Sequence, residues 1–574
     1  MRVILHGVFT MARFPWLKLR KKTEPELPLE PPIWLGSHGN GETFHEQTPR
    51  ERKIREFVLQ RADEGARKLG VERREFLASL AGLATTLSAI NLASCGSEDG
   101  GLGSGGTSGS GGSGPGGSGP GGSGPGGSGP GGSGSGGSGT GGSGGNGSGG
   151  SAGAGGSVTD AGGYYDTGTD ALDGAQQCAI ALDPSKEFVF DLQTHHVNRT
   201  NQTYQWFLTI LPQGACGRGI PGCYLRNEYI ARMFLESDTT VAVLSGIPAV
   251  DDQNPLNNDE IAATRDAINM LAHSQRSVNH AMVLPNYNLS AQLEGMQRVK
   301  ERYGVGAWKC YTPWGPQNTV GSTPGGFWLD DAATGIPFIE RGRTLGVKVF
   351  CCHKGLPLPG FNPSYTSPRD VGVVAKRFPD CSFVIYHSAF QEAGNTVEGA
   401  YQAGSVAGIN SLITAMQQAG VGPNQNVFGE LGTTWQQVMT DTTQAAHVIG
   451  KLLKYVGENN VVWGTDSIWY GSPQPQIEAF LRFQISQQFQ EQYGYPALTN
   501  DIKRKILGLN AARIYGINPS AVRCGINKNE LASVKQSLDE EFGGRRWAFQ
   551  TPIMTTRRQF LEFTRLHRAL NLPG

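Results

Sequence analysis

Residues 427–466 read VFGELGTTWQQVMTDTTQAAHVIGKLLKYVGENNVVWGTD and contain the unit from which the fold can be predicted. It begins with a short run of β-branched and aromatic residues, continues with a longer segment of helical period, and ends with a second apolar run. A strand, a helix and a second strand in this order predict two parallel strands whose connecting helix covers one face of a sheet.

The same unit recurs along the chain from Asp183 to Pro519. Helical segments are predicted at Asn258–Ser274, Leu289–Tyr303, Thr334–Leu345, Val371–Phe378, Val406–Gly420 and Thr440–Val456. The predicted strands are Glu187–Val197, Thr239–Pro248, Val278–Pro285, Val305–Pro313, Val347–Lys354, Ser382–Ser388, Val427–Gly432 and Asn460–Asp466. Eight such units predict an α/β protein with a (β/α)8 TIM barrel. The alternative is a Rossmann-like open sheet, but the first strand lacks the Gly-x-Gly-x-x-Gly turn of that fold.

Ionisable residues stand at the carboxyl ends of these strands, where barrel enzymes build their active sites. Strand one ends in the sequence DLQTHH, residues 191–196, and later strands end at Lys309, His353, His387, Glu430 and Asp466. Burying several such groups unpaired would cost several kcal/mol, so their convergence on one barrel mouth indicates a common site. Imidazole and carboxylate together suit a divalent metal such as zinc. A single histidine at a strand end would instead be interpreted as structural.

The order of these residues resembles the amidohydrolase superfamily: a polar strand-one motif, a histidine on strand five, a histidine on strand six and an aspartate on strand eight. Trp463-Gly464-Thr465-Asp466 is similar to the eighth-strand motif of its amidohydrolase-related branch, which includes aminocarboxymuconate semialdehyde decarboxylase. The segment ILGLNAARIYG, residues 506–516, is similar to that branch's closing helix. The resemblance covers about residues 188–517 and implies a metal-dependent hydrolase or decarboxylase.

In that family the first strand supplies Asp-x-His-x-His, and both histidines bind the metal. Gln193 stands at the first of these positions, and only the second, His195, is retained. The resemblance implies one divalent metal, zinc or manganese, bound by His195, His353 and Asp466. Gln193 would be a weak ligand or none, because an amide oxygen is a poorer zinc donor than imidazole. His196 could replace it only through a bulge, since adjacent strand residues face opposite sides.

The resemblance also implies the chemical roles. A metal with three protein ligands would lower the pKa of a bound water towards about 7. Asp466 would act as general base on that water, and His387 would polarise a carbonyl group or protonate the leaving group. Some lactone-hydrolysing relatives work without metal, so activity is compatible with the glutamine at position 193.

Substrate contacts are assigned by residue type. Lys309 would bind a substrate carboxylate; the alternatives are a carboxylated bridging lysine and an ion pair with Glu430. Aromatic residues of the fourth and eighth loops would stack on an aromatic substrate or pack at the rim: Trp308, Tyr311, Trp314, Trp469 and Tyr470, of which Trp314 and Trp469 are the main candidates.

Charge and cysteine content exclude several classes of protein. The 574 residues include 49 basic and 49 acidic side chains, and this balance argues against a nucleic-acid partner. No apolar run is long enough for several membrane spans, which excludes a polytopic membrane protein. Nine cysteines, an odd number in a long chain, do not form a disulfide scaffold. Cys351 and Cys352 are expected in the core, whereas Cys216 and Cys223 would pair in an oxidising compartment.

Residues 73–95 contain the parts of an export signal. The sequence RREFL at residues 73–77 resembles a twin-arginine motif, an apolar run follows to Ala93, and Leu92-Ala93-Ser94-Cys95 resembles the lipobox of bacterial lipoproteins. This predicts acylation of Cys95 and a periplasmic or outer-membrane-anchored lipoprotein of a bacterium. The alternative is an ordinary buried helix with an inert Cys95. The extension 1–72, with a charged helix predicted at Thr48–Leu69, is either tolerated by the export machinery or precedes a later translation start.

Two further segments flank the barrel, which is assigned to residues 183–519. Residues 96–163 hold 37 of the 83 glycines and are predicted to be a disordered Gly/Ser/Pro linker, because nothing there can be buried to offset the entropy of ordering. Residues 520–574 are charged, with apolar residues at helical spacing: Phe560, Phe563, Leu566 and Leu570. This tail is expected to pack a helix on the barrel or on a second subunit, as in a homodimer.

These observations predict an exported, metal-dependent enzyme that hydrolyses or decarboxylates a small carboxylated, aromatic or lactone substrate through a metal-bound water. The alternative is a catalytically degenerate barrel that binds a ligand or a partner at the cell surface.

Overall fold

The structure is a computed structural model that describes residues 31–33, 35, 47–95, 161–167, 187–198, 224–250, 253–315, 325–358, 360–391 and 398–541. Three predictions lie outside these residues: the pairing of Cys216 with Cys223, the linker up to residue 160, and the apolar positions of the tail from Phe560 to Leu570.

Eight parallel strands form the centre of the molecule. The strands in the described residues are β1 Gly163–Tyr165, β2 Val189–Thr194, β3 Thr239–Leu244, β4 Ser277–Met282, β5 Ala307–Tyr311, β6 Val349–His353, β7 Ser382–Tyr386, β8 Val427–Glu430, β9 Val461–Val462 and β10 Phe483–Ile485. Strands β2 to β9 form one sheet in sequence order, with every neighbouring pair parallel. The eight predicted strands are therefore all confirmed, although each observed strand is shorter than predicted.

The two ends of this sheet approach each other. Leu192 donates its backbone N–H to the Trp463 carbonyl at 3.0 Å, and Asp466 donates to the Gln193 carbonyl at 2.9 Å. These bonds connect β2 to the segment around β9, so the sheet is a nearly closed barrel, as the TIM-barrel prediction requires.

Helices cover the outside of the barrel and extend to both sides of it in sequence. Their bounds are α1 Pro49–Leu69, α2 Arg73–Leu77, α3 Leu80–Cys95, α4 Arg226–Ile230, α5 Asn258–Ala272, α6 Leu289–Tyr303, α7 Gly335–Thr344, α8 Val371–Arg377, α9 Gly408–Gln418, α10 Gly432–Val438, α11 Thr442–Lys451, α12 Gln474–Arg482, α13 Gln487–Tyr493, α14 Asn500–Arg504, α15 Asn510–Tyr515, α16 Pro519–Gly525 and α17 Lys528–Glu541. Short π-helical turns extend α4, α11 and α14. None of the described helices is long and apolar enough to cross a membrane.

Alternation along the strands separates two apolar layers. On β5, Ala307 belongs to the cluster inside the barrel, whereas Trp308 and Cys310 belong to the cluster between sheet and helices. Cys351 and Cys352 on β6 divide in the same way, and both are buried as predicted. Lys309 lies between Trp308 and Cys310 and therefore faces the barrel interior.

The segment read as an export signal packs on the barrel. Leu83, Leu87 and Ile90 of α3 are fully buried in the cluster that also contains the sheet–helix layer. The Asn91 side chain donates to the Tyr165 carbonyl at 2.8 Å and accepts from the Tyr165 N–H at 2.9 Å. The predicted charged helix is confirmed as α1, which begins at a capping box on Thr48. Residues 49–95 thus form a helical unit attached to the flank of the barrel.

The linker ends earlier than predicted. Strand β1 begins at Gly163 and pairs antiparallel with β10, and Gly162 before it is already buried. A Cβ atom on Gly162 or Gly163 would overlap the rings of Phe489 and Phe483. These two glycines are required for close packing, and composition alone does not distinguish them from the glycines of a linker.

Candidate active site

Six of the predicted residues lie at the carboxyl end of the barrel, and each is at most 2% exposed. Strand β2 and the residue after it supply Gln193 and His195, β5 supplies Lys309, β6 supplies His353, and the residues that follow β7 and β9 supply His387 and Asp466. We refer to these six as the mouth cluster: Gln193, His195, Lys309, His353, His387 and Asp466. Their convergence follows from the parallel barrel, because all carboxyl strand ends lie at one rim.

His195 and Asp466 form the centre of the mouth cluster. His195 Nδ1 lies 2.7 Å from the Ser245 carbonyl oxygen, so Nδ1 carries a hydrogen. Nε2 of the same ring lies 3.3 Å from Asp466 Oδ1, and the Thr433 hydroxyl donates to Asp466 Oδ2 at 2.6 Å. Asp466 Oδ1 therefore faces the ring nitrogen of His195 that is not bonded to the backbone.

The other two histidines and Gln193 lie next to each other. His353 Nε2 donates to the Leu356 carbonyl at 3.2 Å, which leaves His353 Nδ1 without a partner. The rings of His353 and His387 are 4.7 Å apart and nearly perpendicular, and Gln193 Nε2 lies 3.4 Å from His387 Nε2. Burial lowers the pKa of His353 to about 3 and that of His387 well below its usual value. Both imidazoles are therefore neutral at physiological pH.

Lys309 makes no ion pair with Glu430, so that alternative is wrong. The Glu430 carboxylate accepts from the backbone N–H groups of His387, at 3.0 Å, and Gly432, at 2.5 Å. Burial raises the pKa of Glu430 to about 8, against the opposite effect of these two bonds. Lys309 Nζ has no hydrogen-bond partner and lies 3.5 Å from the centre of the Tyr386 ring.

Some of the predicted aromatic residues pack in the core, and others contact the mouth cluster. Trp308 is buried between sheet and helices and donates its indole N–H to a backbone carbonyl at 3.0 Å, so the idea that it stacks on a substrate is wrong. Trp469 stacks on the His195 ring with 5.7 Å between ring centres, which orients that imidazole. Trp314 is half-buried against the cluster that includes Tyr311. The hydroxyl groups of Tyr470 and Thr433 form a hydrogen bond of 3.1 Å.

Backbone strain is concentrated at this rim. His387, Ser388 and Ala389 have φ values of 62°, 51° and 60°, and Asp466 has 57°. Left-handed conformations at residues other than glycine cost about 1 kcal/mol or more each, and they cluster at functional sites. At His387 this conformation lets two consecutive side chains, Tyr386 and His387, both reach the barrel interior.

Sequence reasoning missed a polar layer below the mouth cluster. His280 on β4 contacts the Ser245 hydroxyl at 2.9 Å and the Tyr515 hydroxyl at 2.6 Å. Asp191 accepts from the hydroxyl and the backbone N–H of Thr465, and burial raises its pKa to about 7. His280 stands two residues after Val278 on the same strand, so alternation along β4 was the signal that could have placed it inside the barrel.

The mouth cluster fits a divalent metal in part. His195 Nε2 and Asp466 Oδ1 are two suitable donors, and a carbonyl behind the imidazole fixes its tautomer, as is usual for metal-binding histidines. His196 does not replace Gln193, because its Nε2 lies 2.9 Å from the Thr264 hydroxyl on α5, outside the barrel. Within the described residues, no group of three or more His, Cys, Asp or Glu side chains is arranged to hold an ion. A three-ligand site is therefore not preformed.

Comparison with known families agrees with the barrel and its strand ends. Residues 246–517 match the amidohydrolase family. The amidohydrolase match contains Lys309, His353, His387 and Asp466, and it supports the superfamily predicted from the sequence. It begins after β2 and β3, so the strand that carries Gln193 and His195 lies outside it. Amidohydrolases are often metal-dependent.

No curated protein matches the chain. Solved structures of similar fold include IDCase from Metarhizium anisopliae in apo form (13% identical, 58% of this chain and 99% of that one, TM-score 0.31). They also include a protein from Lactobacillus casei described as a metal-dependent hydrolase (11%, 58% and 96%, TM-score 0.33) and dihydropyrimidinase from Brevibacillus agri (12%, 58% and 72%, TM-score 0.30). At these TM-scores the similarities are no basis for assigning an activity.

Proposed function

We propose that the mouth cluster is the active site of a hydrolase or decarboxylase for a small carboxylated, aromatic or lactone substrate. Four of its buried polar atoms have no hydrogen-bond partner: Gln193 Oε1, Lys309 Nζ, His353 Nδ1 and His387 Nδ1. Burying such atoms is costly unless something else satisfies them. This group of four, beside the contact between His195 and Asp466, is the observation that supports a binding site for a polar substrate.

Five of the six members of the mouth cluster have a chemical role in this proposal. Asp466 accepts a proton from the water that attacks the substrate carbonyl, and His195, 3.3 Å away, shares that proton. His387 is neutral and, with Gln193 beside its Nε2, offers the hydrogen of Nδ1 to the carbonyl oxygen. Lys309 approaches the substrate from β5, and the charge or dipole of a substrate carboxyl group satisfies it. Trp314 and Trp469 border the site.

One divalent cation, zinc or manganese, stays a prediction for this site. His195, His353 and Asp466 would hold it, with Gln193 as a weaker donor, and when bound it would supply a more acidic water. The narrower assignment to the semialdehyde decarboxylase branch also stays a prediction.

A substrate panel tests this function. Wild type and Asp466→Asn are assayed with aryl esters, aromatic lactones and carboxylated aromatics, with and without added zinc or manganese. Asp380→Asn is the matched control, because Asp380 lies on the surface and pairs with Arg343 and Lys348. We expect turnover by wild type and by the control, and its loss in Asp466→Asn. Turnover by Asp466→Asn at the wild-type rate would contradict the proposal.

A degenerate, ligand-binding barrel remains the second candidate because Gln193 replaces a metal-binding histidine. It predicts that the panel raises the melting temperature of the protein without any turnover. Thermal shift and product formation, measured on the same compounds, separate the two functions.

We also propose export and acylation of Cys95, as the order of paired arginines, apolar run and lipobox indicates. The proposal has a structural consequence, since cleavage before Cys95 would remove the three helices α1 to α3 and expose the surface that they bury. A homodimer stays a prediction. The molecular mass of the purified protein in solution would show whether the protein is a monomer or a dimer.

A further inference from the structure

Lys309 is the most unusual group in the mouth cluster. It is fully buried, and its Nζ has no oxygen or nitrogen partner. The nearest groups are two aromatic faces, with Nζ 3.5 Å from the centre of the Tyr386 ring and 4.5 Å from that of Tyr311. An ammonium group has three hydrogens to donate, so this surrounding satisfies it poorly.

The hydrogen-bond partners of the other buried lysines can be compared with the surroundings of Lys309. Four lysines are fully buried in the described residues, and three of them have oxygen partners. Lys354 donates to Asp370 at 2.9 Å, Lys503 donates to a backbone carbonyl at 2.6 Å, and Lys451 is paired with Glu398. Lys309 alone lacks such a partner. Lys309 and Lys503 differ in their hydrogen-bond partners and not in their pKa, since burial lowers the pKa of both to about 8.

The position of Lys309 suits a reaction with a substrate. It lies at the carboxyl end of β5 and faces the barrel interior, in the electrostatic range of Asp466 and Glu430. Its neighbours are Cys351 and the neutral imidazole of His353 on β6, the Tyr386 ring on β7, and the neutral imidazole of His387 directly after β7. Buried lysines in apolar surroundings are partly neutral at physiological pH, and a neutral amine is a nucleophile for carbonyl carbon.

We propose that Lys309 is a catalytic residue that forms an imine with the carbonyl carbon of a keto-acid substrate. The inference rests on the proposed function only in placing the substrate at the mouth cluster. It narrows the substrate class to aldehydes and ketones, and above all to acids that carry a carboxylate β to the carbonyl carbon.

The chemistry balances without a further reactant. The amine nitrogen bonds to the carbonyl carbon, and the carbonyl oxygen leaves as water with the two amine hydrogens. A proton then adds to the imine nitrogen. The bond to the β-carboxylate breaks, carbon dioxide leaves, and the electron pair moves towards the nitrogen to give an enamine. A proton adds to the enamine carbon, and water hydrolyses the imine and restores the lysine.

Reductive trapping tests this proposal. Full-length protein is incubated with acetoacetate and, separately, with pyruvate, in the presence of sodium cyanoborohydride, which converts an imine into a stable secondary amine. Peptide mass spectrometry then locates the adduct. We expect it on Lys309 and not on Lys503, which is equally buried with a similar pKa but is bonded to a carbonyl. Arginine cannot form an imine, so Lys309→Arg should carry no adduct in the barrel.

Two results would overturn the proposal: no adduct on Lys309 with either keto acid, or equal labelling of Lys309 and Lys503. This readout is independent of hydrolysis. A protein that is inactive on every ester and lactone but is labelled at Lys309 refutes the hydrolytic proposal and supports this one. A protein whose hydrolysis depends on Asp466 and that is unlabelled at Lys309 supports the hydrolytic proposal and refutes the imine proposal.

Discussion

Replacing Lys309 by methionine is expected to stabilise the protein at neutral pH. Methionine has a similar unbranched shape, and no hydrogen bond is lost because Nζ makes none. Burial lowers the pKa of Lys309 from 10.5 to about 8. At about 1.4 kcal/mol for each pKa unit, the buried charge costs the folded state about 3 kcal/mol. The charged lysine is therefore expected to lower the stability of the folded protein.

The stability gained by Lys309→Met should decrease as the pH rises. The unfolded lysine is charged below pH 10.5, whereas the folded one loses its proton above about pH 8. The full cost is therefore present below pH 8, decreases between pH 8 and 10.5, and is absent above that range. The advantage of Lys309→Met should fall from about 3 kcal/mol at pH 7 to about half of that at pH 9.5.

Denaturant unfolding of wild type and Lys309→Met at pH 7 and pH 9.5 measures both quantities. Subtracting one protein from the other cancels most groups that titrate in both. A variant that is less stable than wild type at pH 7 would show that the buried charge of Lys309 does not destabilise the fold. So would an advantage of the same size at both pH values, because it would come from packing and not from the buried charge.

Three further predictions concern the metal and the N-terminal helices. Elemental analysis of purified wild type should find about one zinc or manganese per chain, and His353→Ala should lose this metal. A metal-free wild type would contradict the predicted metal site. Leu87→Asp should lower the free energy of unfolding by about 3 kcal/mol or more, because Leu87 is fully buried. The matched change Leu92→Asp, at a residue 52% exposed on the same helix, should have little effect, and equal effects would mean that α3 is not packed on the barrel. A fatty-acid probe fed to cells should label wild type and not Cys95→Ser; an unlabelled wild type would remove the lipoprotein proposal.

The barrel could be predicted because its strands are short apolar runs that alternate with helical segments. The observed strands are shorter than the predicted ones at their carboxyl ends, since residues such as Asp466 belong to the loops that carry the site. Parallel topology then places His195, His353, His387 and Asp466 at one rim, which strand order alone implies.

Other features depend on contacts between distant parts of the chain. The pattern along β5 places Lys309 inside the barrel, but only the fold brings the Tyr386 ring beneath it. An apolar helix such as α3 has the same composition whether it is a signal or a buried element, so the sequence left both open. Gly162 and Gly163 resemble linker glycines until Phe483 and Phe489 are seen to pack against them.

The proposed function requires the mouth cluster to perform chemistry on a bound substrate, with Asp466 as its proton acceptor. This requirement is tested by kcat/KM of Asp466→Asn relative to wild type on the best substrate of the panel, beside Asp380→Asn. Loss of a general base should reduce kcat/KM by about 10² to 10⁴-fold, and the control should match wild type. Equal kcat/KM for Asp466→Asn and Asp380→Asn would contradict the account.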